Sequence, residues 1–229
     1  MAQIFPKWSN GLPVALVMLA SAVPVLAVGV IWYFGSPVYT DVGYAPEQPV
    51  PFSHATHAGT LAMDCRYCHS AVEFGKHANV PPTQTCMNCH TQVLREVADP
   101  MNPGQMIINP KLAPIIQSWE TGEPMQWVRV HKLPEYAYFN HAPHLQAGVG
   151  CQSCHGDIVA MDVVTQAEPL SMGWCLDCHR NPEQHLRPDD VAVTEMLTWK
   201  AGPDKAAQGL KLKEERNLNP PEDCSACHR

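Results

Sequence analysis

All ten cysteines of this 229-residue chain fall in five copies of one motif, Cys-x-x-Cys-His. The copies are Cys65/Cys68/His69, Cys86/Cys89/His90, Cys151/Cys154/His155, Cys175/Cys178/His179 and Cys224/Cys227/His228. No cysteine is left for a disulfide, a lipid anchor or a thiol nucleophile. Two intervening residues set the sulfurs at i and i+3, neighbours on one helical turn. That spacing suits two thioether bonds along one side of a porphyrin, and the next residue returns an imidazole to the iron. The motif therefore reads as covalent haem c attachment. A zinc ribbon also pairs cysteines this way but does not require a histidine after each pair. The expectation is five covalently bound haem c groups. Their proximal iron ligands are His69, His90, His155, His179 and His228.

This reading decides the fold class. Proline (22) and glycine (14) are frequent while aromatic residues make up only 7%, a poor supply for a core of side chains alone. Porphyrin plates change that balance, because loops can bury apolar surface against them; the same loops around nothing would be disordered. The expected fold is mostly irregular with short α-helices. It is a multihaem cytochrome c domain packed around five haems, on one N-terminal transmembrane helix.

The formal net charge is −7, which excludes nucleic acid as a partner, since that needs basic surface. All 22 acidic residues follow Phe34. Before them, Leu12 to Phe34 is an uncharged apolar run long enough to cross a bilayer. Trp8 and Trp32-Tyr33 flank it as an aromatic belt would. The run is too long for the apolar part of a cleaved signal, so it is expected to be an uncleaved single-pass anchor in the cell membrane. Lys7 on one flank against Asp41 on the other puts the N-terminus in the cytoplasm and the haem domain on the periplasmic side. Pro24 inside the run frees a carbonyl, which fits either packing against other membrane helices or a simple kink of a lone anchor. The expected layout is residues 1–35 for the N-terminus and anchor, 36–51 for a linker, and 52–229 for the pentahaem domain.

The domain contains a repeat. His54-x-x-His57 precedes Cys65 as His141-x-x-His144 precedes Cys151, with lead-ins Pro51-Phe52-Ser53 and Tyr138-Phe139-Asn140. Each first motif is followed by a second. Two-haem modules are thus expected at about 52–90 and 139–179, with a fifth motif at 224–228. Five six-coordinate haems need five distal ligands, and the histidine pairs are the best supply: His54, His57, His141 and His144. Histidines on one turn point in different directions, so each pair serves two irons. His131 is the expected fifth distal ligand. His77 and Met172 are further candidates, and a methionine ligand would raise that haem's potential. His185 reads as a surface residue. Short helices are expected at Lys111–Glu120, Ala192–Lys200 and Lys205–Glu215, an extended segment at Trp127–His131, and little sheet.

The strings around the motifs carry a resemblance. Pro-Val-Pro-Phe-Ser-His-x-x-His, Asp-Cys-Arg-Tyr-Cys-His, Pro-Pro-Thr-Gln-Thr-Cys-Met-Asn-Cys-His, Trp-Val-Arg-Val-His, Tyr-Phe-Asn-His and Pro-Leu-Ser-Met-Gly-Trp-Cys-Leu-Asp-Cys-His-Arg-Asn-Pro together resemble the pentahaem cytochrome c subunit of alternative complex III. The placing of His-x-x-His before each attachment motif also resembles class III multihaem cytochromes. The resemblance implies an electron-transfer subunit of a membrane quinol oxidoreductase, passing electrons to a soluble redox carrier or a terminal oxidase. It implies neighbours in that complex: an iron–sulfur subunit, a monohaem cytochrome c and polytopic membrane subunits. No catalytic site is expected on this chain alone. The alternative is a stand-alone membrane-anchored multihaem quinol dehydrogenase. It is disfavoured by the linker between the helix and the first ligand. A multihaem reductase with an open iron position is disfavoured by the plentiful histidines.

Overall fold

The computed structural model describes residues 4–35, 40–198, 200 and 202–228, in two compact units, Met1–Asp41 and Val42–Arg229. Residues 36–39, the start of the expected linker, lie outside the described residues, as does Trp199 within the expected helix at Ala192–Lys200.

In the first unit a 3-10 turn, Lys7–Gly11, leads into α1, Leu12–Gly35. At the helical rise, its 24 residues extend for about 36 Å, against a hydrocarbon layer of about 30 Å. It is long and apolar enough to cross a membrane. None of its residues is buried by protein, so its apolar surface faces outward on all sides, as suits a helix solvated by lipid or by other helices.

The second unit is built from single turns and short helices joined by irregular chain. They are α2 (Cys65–Cys68), α3 (Thr83–His90), α4 (Ala113–Thr121), α5 (His141–Gln146), α6 (Gln152–His155), α7 (Met172–Arg180), α8 (Lys205–Glu215) and α9 (Cys224–Cys227). One small antiparallel hairpin, β1 (Glu96–Ala98) with β2 (Met106–Ile108), pairs Val97 opposite Ile107. The expectation of short helices and little sheet holds. The helices expected near residues 111–120 and 205–215 are present as α4 and α8. Among the described residues of 192–198 there is no helix, only turns: the Glu195 carboxylate accepts from the amides of Leu197 and Thr198, which closes a local turn in place of helical bonds.

Where side chains do form a core, they do so around α3 and α4. Val50, Met87, Leu112, Ile115 and Ile116 are buried together, with Cys86, Met125 and Trp127 packed on them. Ile115 and Ile116 present one face of α4, which begins with Pro114 in its first turn and ends at Gly122 in the left-handed conformation, a common helix stop. Elsewhere, among the described residues, the buried hydrophobic ones are Val72, Ala142 and Leu186. The thin core agrees with the sequence argument that something other than side chains must fill the space between the motifs.

Two close approaches lock turns together. Gly59 lies against the backbone carbonyl of Val159, and Gly209 of α8 lies against the backbone of Glu183. A Cβ at either position would collide with main chain, which cannot swing away as a side-chain tip can.

Candidate haem attachment sites

Each motif folds as a turn of helix, and the local sequence explains why. Asp64 caps α2 by accepting from the Arg66 amide. Asp223 caps α9 by accepting from the Ala226 amide, and Ser171 caps α7 by accepting from the Trp174 amide. These are the residue types that satisfy free N–H groups at a helix start. In three motifs the histidine amide donates to the carbonyl of the first cysteine: His69 to Cys65 (2.8 Å), His155 to Cys151 (3.0 Å) and His228 to Cys224 (2.8 Å). The turn thereby sets both sulfurs and the imidazole on adjoining positions. None of the ten cysteines forms a disulfide. Burial pushes the Cys151 thiol up to about 11. It pushes Cys154 up to about 12, with the neighbouring thiols of Cys178 and Cys175 adding to the effect. These are neutral sulfurs in apolar surroundings, not activated thiolates.

The histidines carry a second pattern. Nδ1 of His69 donates to Asn79 O (2.6 Å), of His90 to Val93 O (2.9 Å), of His179 to Pro221 O (2.6 Å) and of His228 to Tyr136 O (3.1 Å). Outside the motifs, Nδ1 of His57 donates to Ser53 O (2.8 Å), of His144 to Asn140 O (2.7 Å) and of His141 to Lys76 O (2.9 Å). A carbonyl can only accept, so each of these seven rings has a proton on Nδ1, and in the neutral ring Nε2 is then left bare. That is the tautomer and the outer hydrogen bond of a metal-ligating histidine.

Three pairs of rings then stand at one separation: His57–His90 at 6.2 Å, His144–His179 at 6.1 Å and His141–His155 at 6.4 Å between ring centres. Two imidazoles binding one metal from opposite sides, each with a metal–nitrogen distance of ~2.0 Å, would set their ring centres roughly 6.3 Å apart. The donor set, the tautomers and the spacing all fit haem iron.

A phenylalanine organises each free pair. Phe52 stacks on His57 (4.4 Å, 24°) and meets His54 edge-on (4.9 Å, 87°). Phe139 does the same with His144 (4.6 Å, 36°) and His141 (4.8 Å, 83°). The ring wedged between them sends the two imidazoles in different directions, in both copies.

The remaining candidates differ. His54 is half-buried, and its Nδ1 is buried with no hydrogen-bond partner; desolvation, and then the nearby His69 and His57, pull its pKa down to about 4. His131 places Nε2 at 3.3 Å from Nδ1 of His155, with ring centres 4.5 Å apart. That nitrogen of His155 is not the one a motif histidine offers to iron. His77 is exposed, and so is Met172, at 67%. His185, expected at the surface, is half-buried and its pKa is lowered by that burial; its carbonyl accepts from the Gly150 amide.

Sequence reasoning passed over Arg187. Its side chain is buried to 1% exposure. It donates to the carbonyls of Ala192 and Glu195 and to the side chain of Gln152 inside the third motif, and it lies against Gly150. It pins the chain after the fourth motif to the third. The carbonyls that orient the imidazoles are also invisible in sequence, because any residue supplies one.

Comparison with known proteins agrees with this geometry. Residues 137–229, the second histidine pair and the last three motifs, match the family described as cytochrome c7 and related cytochrome c. This part of the chain is similar to multihaem c-type cytochromes, and its Cys-x-x-Cys-His motifs are of the kind that hold haem c covalently. The chain is also related to the menaquinone reductase multihaem cytochrome c subunit of Nitratidesulfovibrio vulgaris, at 27% identity over 176 residues, 68% of this chain and 76% of the relative.

Proposed function

We propose that the chain is a membrane-anchored pentahaem electron relay, the cytochrome c subunit of a quinol-oxidising complex of the alternative complex III type. When bound, haem c supplies a one-electron iron couple held by two thioethers. The protein's own part is to fix the imidazoles and keep the couples close together in apolar surroundings. The observation that carries the reading is the repeated ring spacing, with Nδ1 held by carbonyls and Nε2 left bare. It supports His141 as distal partner of His155, His57 of His90, and His144 of His179. By the repeat, His54 then partners His69.

For His131 the geometry favours a role other than distal ligand: it holds Nδ1 of His155, in the place where a backbone carbonyl serves the other motif histidines. His77 and Met172 are left as candidates at His228.

The layout proposed is an anchor at residues 1–35, a linker at 36–51, and the haem domain, facing the periplasm, at 52–229. Partners are the iron–sulfur, monohaem cytochrome and polytopic membrane subunits of the same complex, and a soluble carrier or terminal oxidase beyond it. The relative's name, a menaquinone reductase subunit, supports a quinone-linked complex. The strings around the motifs support the quinol-oxidising direction.

The count is tested by pyridine haemochrome analysis of the purified chain, with five haem c per polypeptide expected. The direction is tested in the intact complex: menaquinol should reduce these haems within a turnover. Four or fewer haems would sink the count. Haems that stay oxidised under menaquinol, yet pass electrons to menaquinone from a low-potential donor, would reverse the direction.

A further inference from the structure

We propose that the five attachment motifs stand in one unbranched row, in the order second, first, third, fourth, fifth, so that the second and fifth motifs are its ends. The inference rests on the pentahaem reading and adds the arrangement, which chain order does not give.

Each neighbour relation has its own contact. The second motif meets the first directly: Asn88, inside Cys86-x-x-Cys89, donates to the Tyr67 hydroxyl inside Cys65-x-x-Cys68 at 3.2 Å. The first and third are bridged by two adjacent residues far along the chain. The Val193 carbonyl accepts from the Cys151 amide (3.1 Å), and the Thr194 hydroxyl donates to Asp64, the cap of the first motif (3.1 Å). Near the same junction the turn at Ala55–Thr60 packs on Ile158–Ala160, just beyond the third motif, with Gly59 against Val159. The third and fourth share α5: His141 faces His155 and His144, one turn on, faces His179. The fourth and fifth are tied by the His179 ring donating to Pro221 O (2.6 Å) and by the Arg180–Glu222 ion pair (3.0 Å).

Two independent features agree with this order. Of the ten cysteines only Cys89 and Cys224 are exposed, one in each terminal motif. The middle position falls to the third motif. Its His155 ring meets two other imidazoles, His131 at 4.5 Å and His141 at 6.4 Å between ring centres.

The consequence concerns where electrons cross the protein surface. A row of this order cannot be read from the first motif to the fifth along the chain. The first motif, nearest the anchor in sequence, is an interior position, and a partner's redox centre approaches the row end-on only at the second or fifth motif.

Anomalous scattering at the iron edge, from crystals of the haem-loaded full chain, reads the order directly. Five peaks are expected, with the second motif's iron nearest the first's, the third's between the first's and the fourth's, and the fifth's nearest the fourth's. A second-motif iron nearer to the third, fourth or fifth than to the first would overturn the row, as would a fifth-motif iron nearer to the first or third than to the fourth. A missing peak with the other four in sequence would uphold the row and overturn the count of five instead. Flash reduction gives a second readout. Removing the third attachment site (Cys151→Ala with Cys154→Ala) should divide the remaining haems into two groups that no longer equilibrate. Removing the second (Cys86→Ala with Cys89→Ala) should leave the other four equilibrating together. Full equilibration in the first variant would overturn the row.

Discussion

The two modules carry the same device in different settings. In both, a phenylalanine wedges between two histidines one turn apart, and the second histidine faces the second motif of its own module, at 6.2 Å in one and 6.1 Å in the other. The surroundings of the first histidine diverge. His141 donates Nδ1 to the Lys76 carbonyl of the other module, whereas Nδ1 of His54 is buried without a partner. His69 donates to a backbone carbonyl, whereas His155 is met by the ring of His131. The start of each module differs too: Asp64 caps the first motif, while Gly150 stands before the third with Arg187 beneath it. What is shared is what a pair of proposed iron sites would require. What differs is how each copy is joined to the rest of the molecule.

The comparison breaks first at the covalent sites. Replacing Cys151 and Cys154 by alanine should remove a haem from the middle of a domain with few buried side chains. The expected result is four haem c per chain and a large loss of thermal stability. The same change at Cys86 and Cys89, beside the side-chain core of α3 and α4, should cost one haem and much less stability. Equal melting losses would show that the side-chain core gives the second motif no independent support. Next come the distal ligands. His57→Ala and His144→Ala should each turn one of five haems from low to high spin in electron paramagnetic resonance. If one of them leaves every signal unchanged, the two copies are not equivalent. His131→Gln should behave differently from both. It should shift the g-values and potential of one haem while leaving all five low-spin; a new high-spin signal would restore His131 as a distal ligand. A smaller effect is expected at the wedges. A buried Phe→Ala change costs ~3–5 kcal/mol; Phe52 and Phe139 are only half-buried, so Phe52→Ala and Phe139→Ala should each cost about 2 kcal/mol by chemical denaturation.

Much of this was legible in the sequence, for a physical reason. Haem c attachment depends on side chains at fixed short spacing, so the ten cysteines, the five motif histidines and the repeated His-x-x-His could be read directly, and the shortage of core residues followed from composition. The contact between the His131 and His155 rings could not be read, because it depends on which nitrogen of which ring meets the other. Arg187 was passed over because nothing local distinguishes a buried arginine from a surface one; the approach of Gly150 and the acceptors on Gln152, Ala192 and Glu195 define it. The helix expected at residues 192–200 had the right residue types, but Glu195 spends its carboxylate closing a turn, and Val193 and Thr194 are held between the first and third motifs. The order of the motifs was out of reach for the same reason, since it rests on pairs such as Asn88–Tyr67 and Thr194–Asp64 that lie far apart in the chain.

The smallest expected effect separates the caps. The Arg66 guanidinium, bonded to Asp64 through its side chain, holds the Asp64 carboxyl down at about 2 against an ordinary 3.8. A carboxyl whose folded pKa is depressed stabilises the fold above its ordinary pKa and loses that contribution as the pH falls through the folded value. The stabilisation should therefore be complete above about pH 5 and fade between about pH 4 and 2. Both side chains of the pair are 43% exposed, so solvent screening limits the pair to about 0.2–1 kcal/mol. Asp64→Asn should lower stability by that amount at pH 7, and most of the difference from the natural chain should be gone by about pH 2. Gly150 offers the third motif no such carboxylate, so Gln152→Ala at that motif should give a loss that stays constant over the same acid range. Matching acid profiles for the two variants would mean that the Asp64–Arg66 pair is not what distinguishes the start of one module from the other.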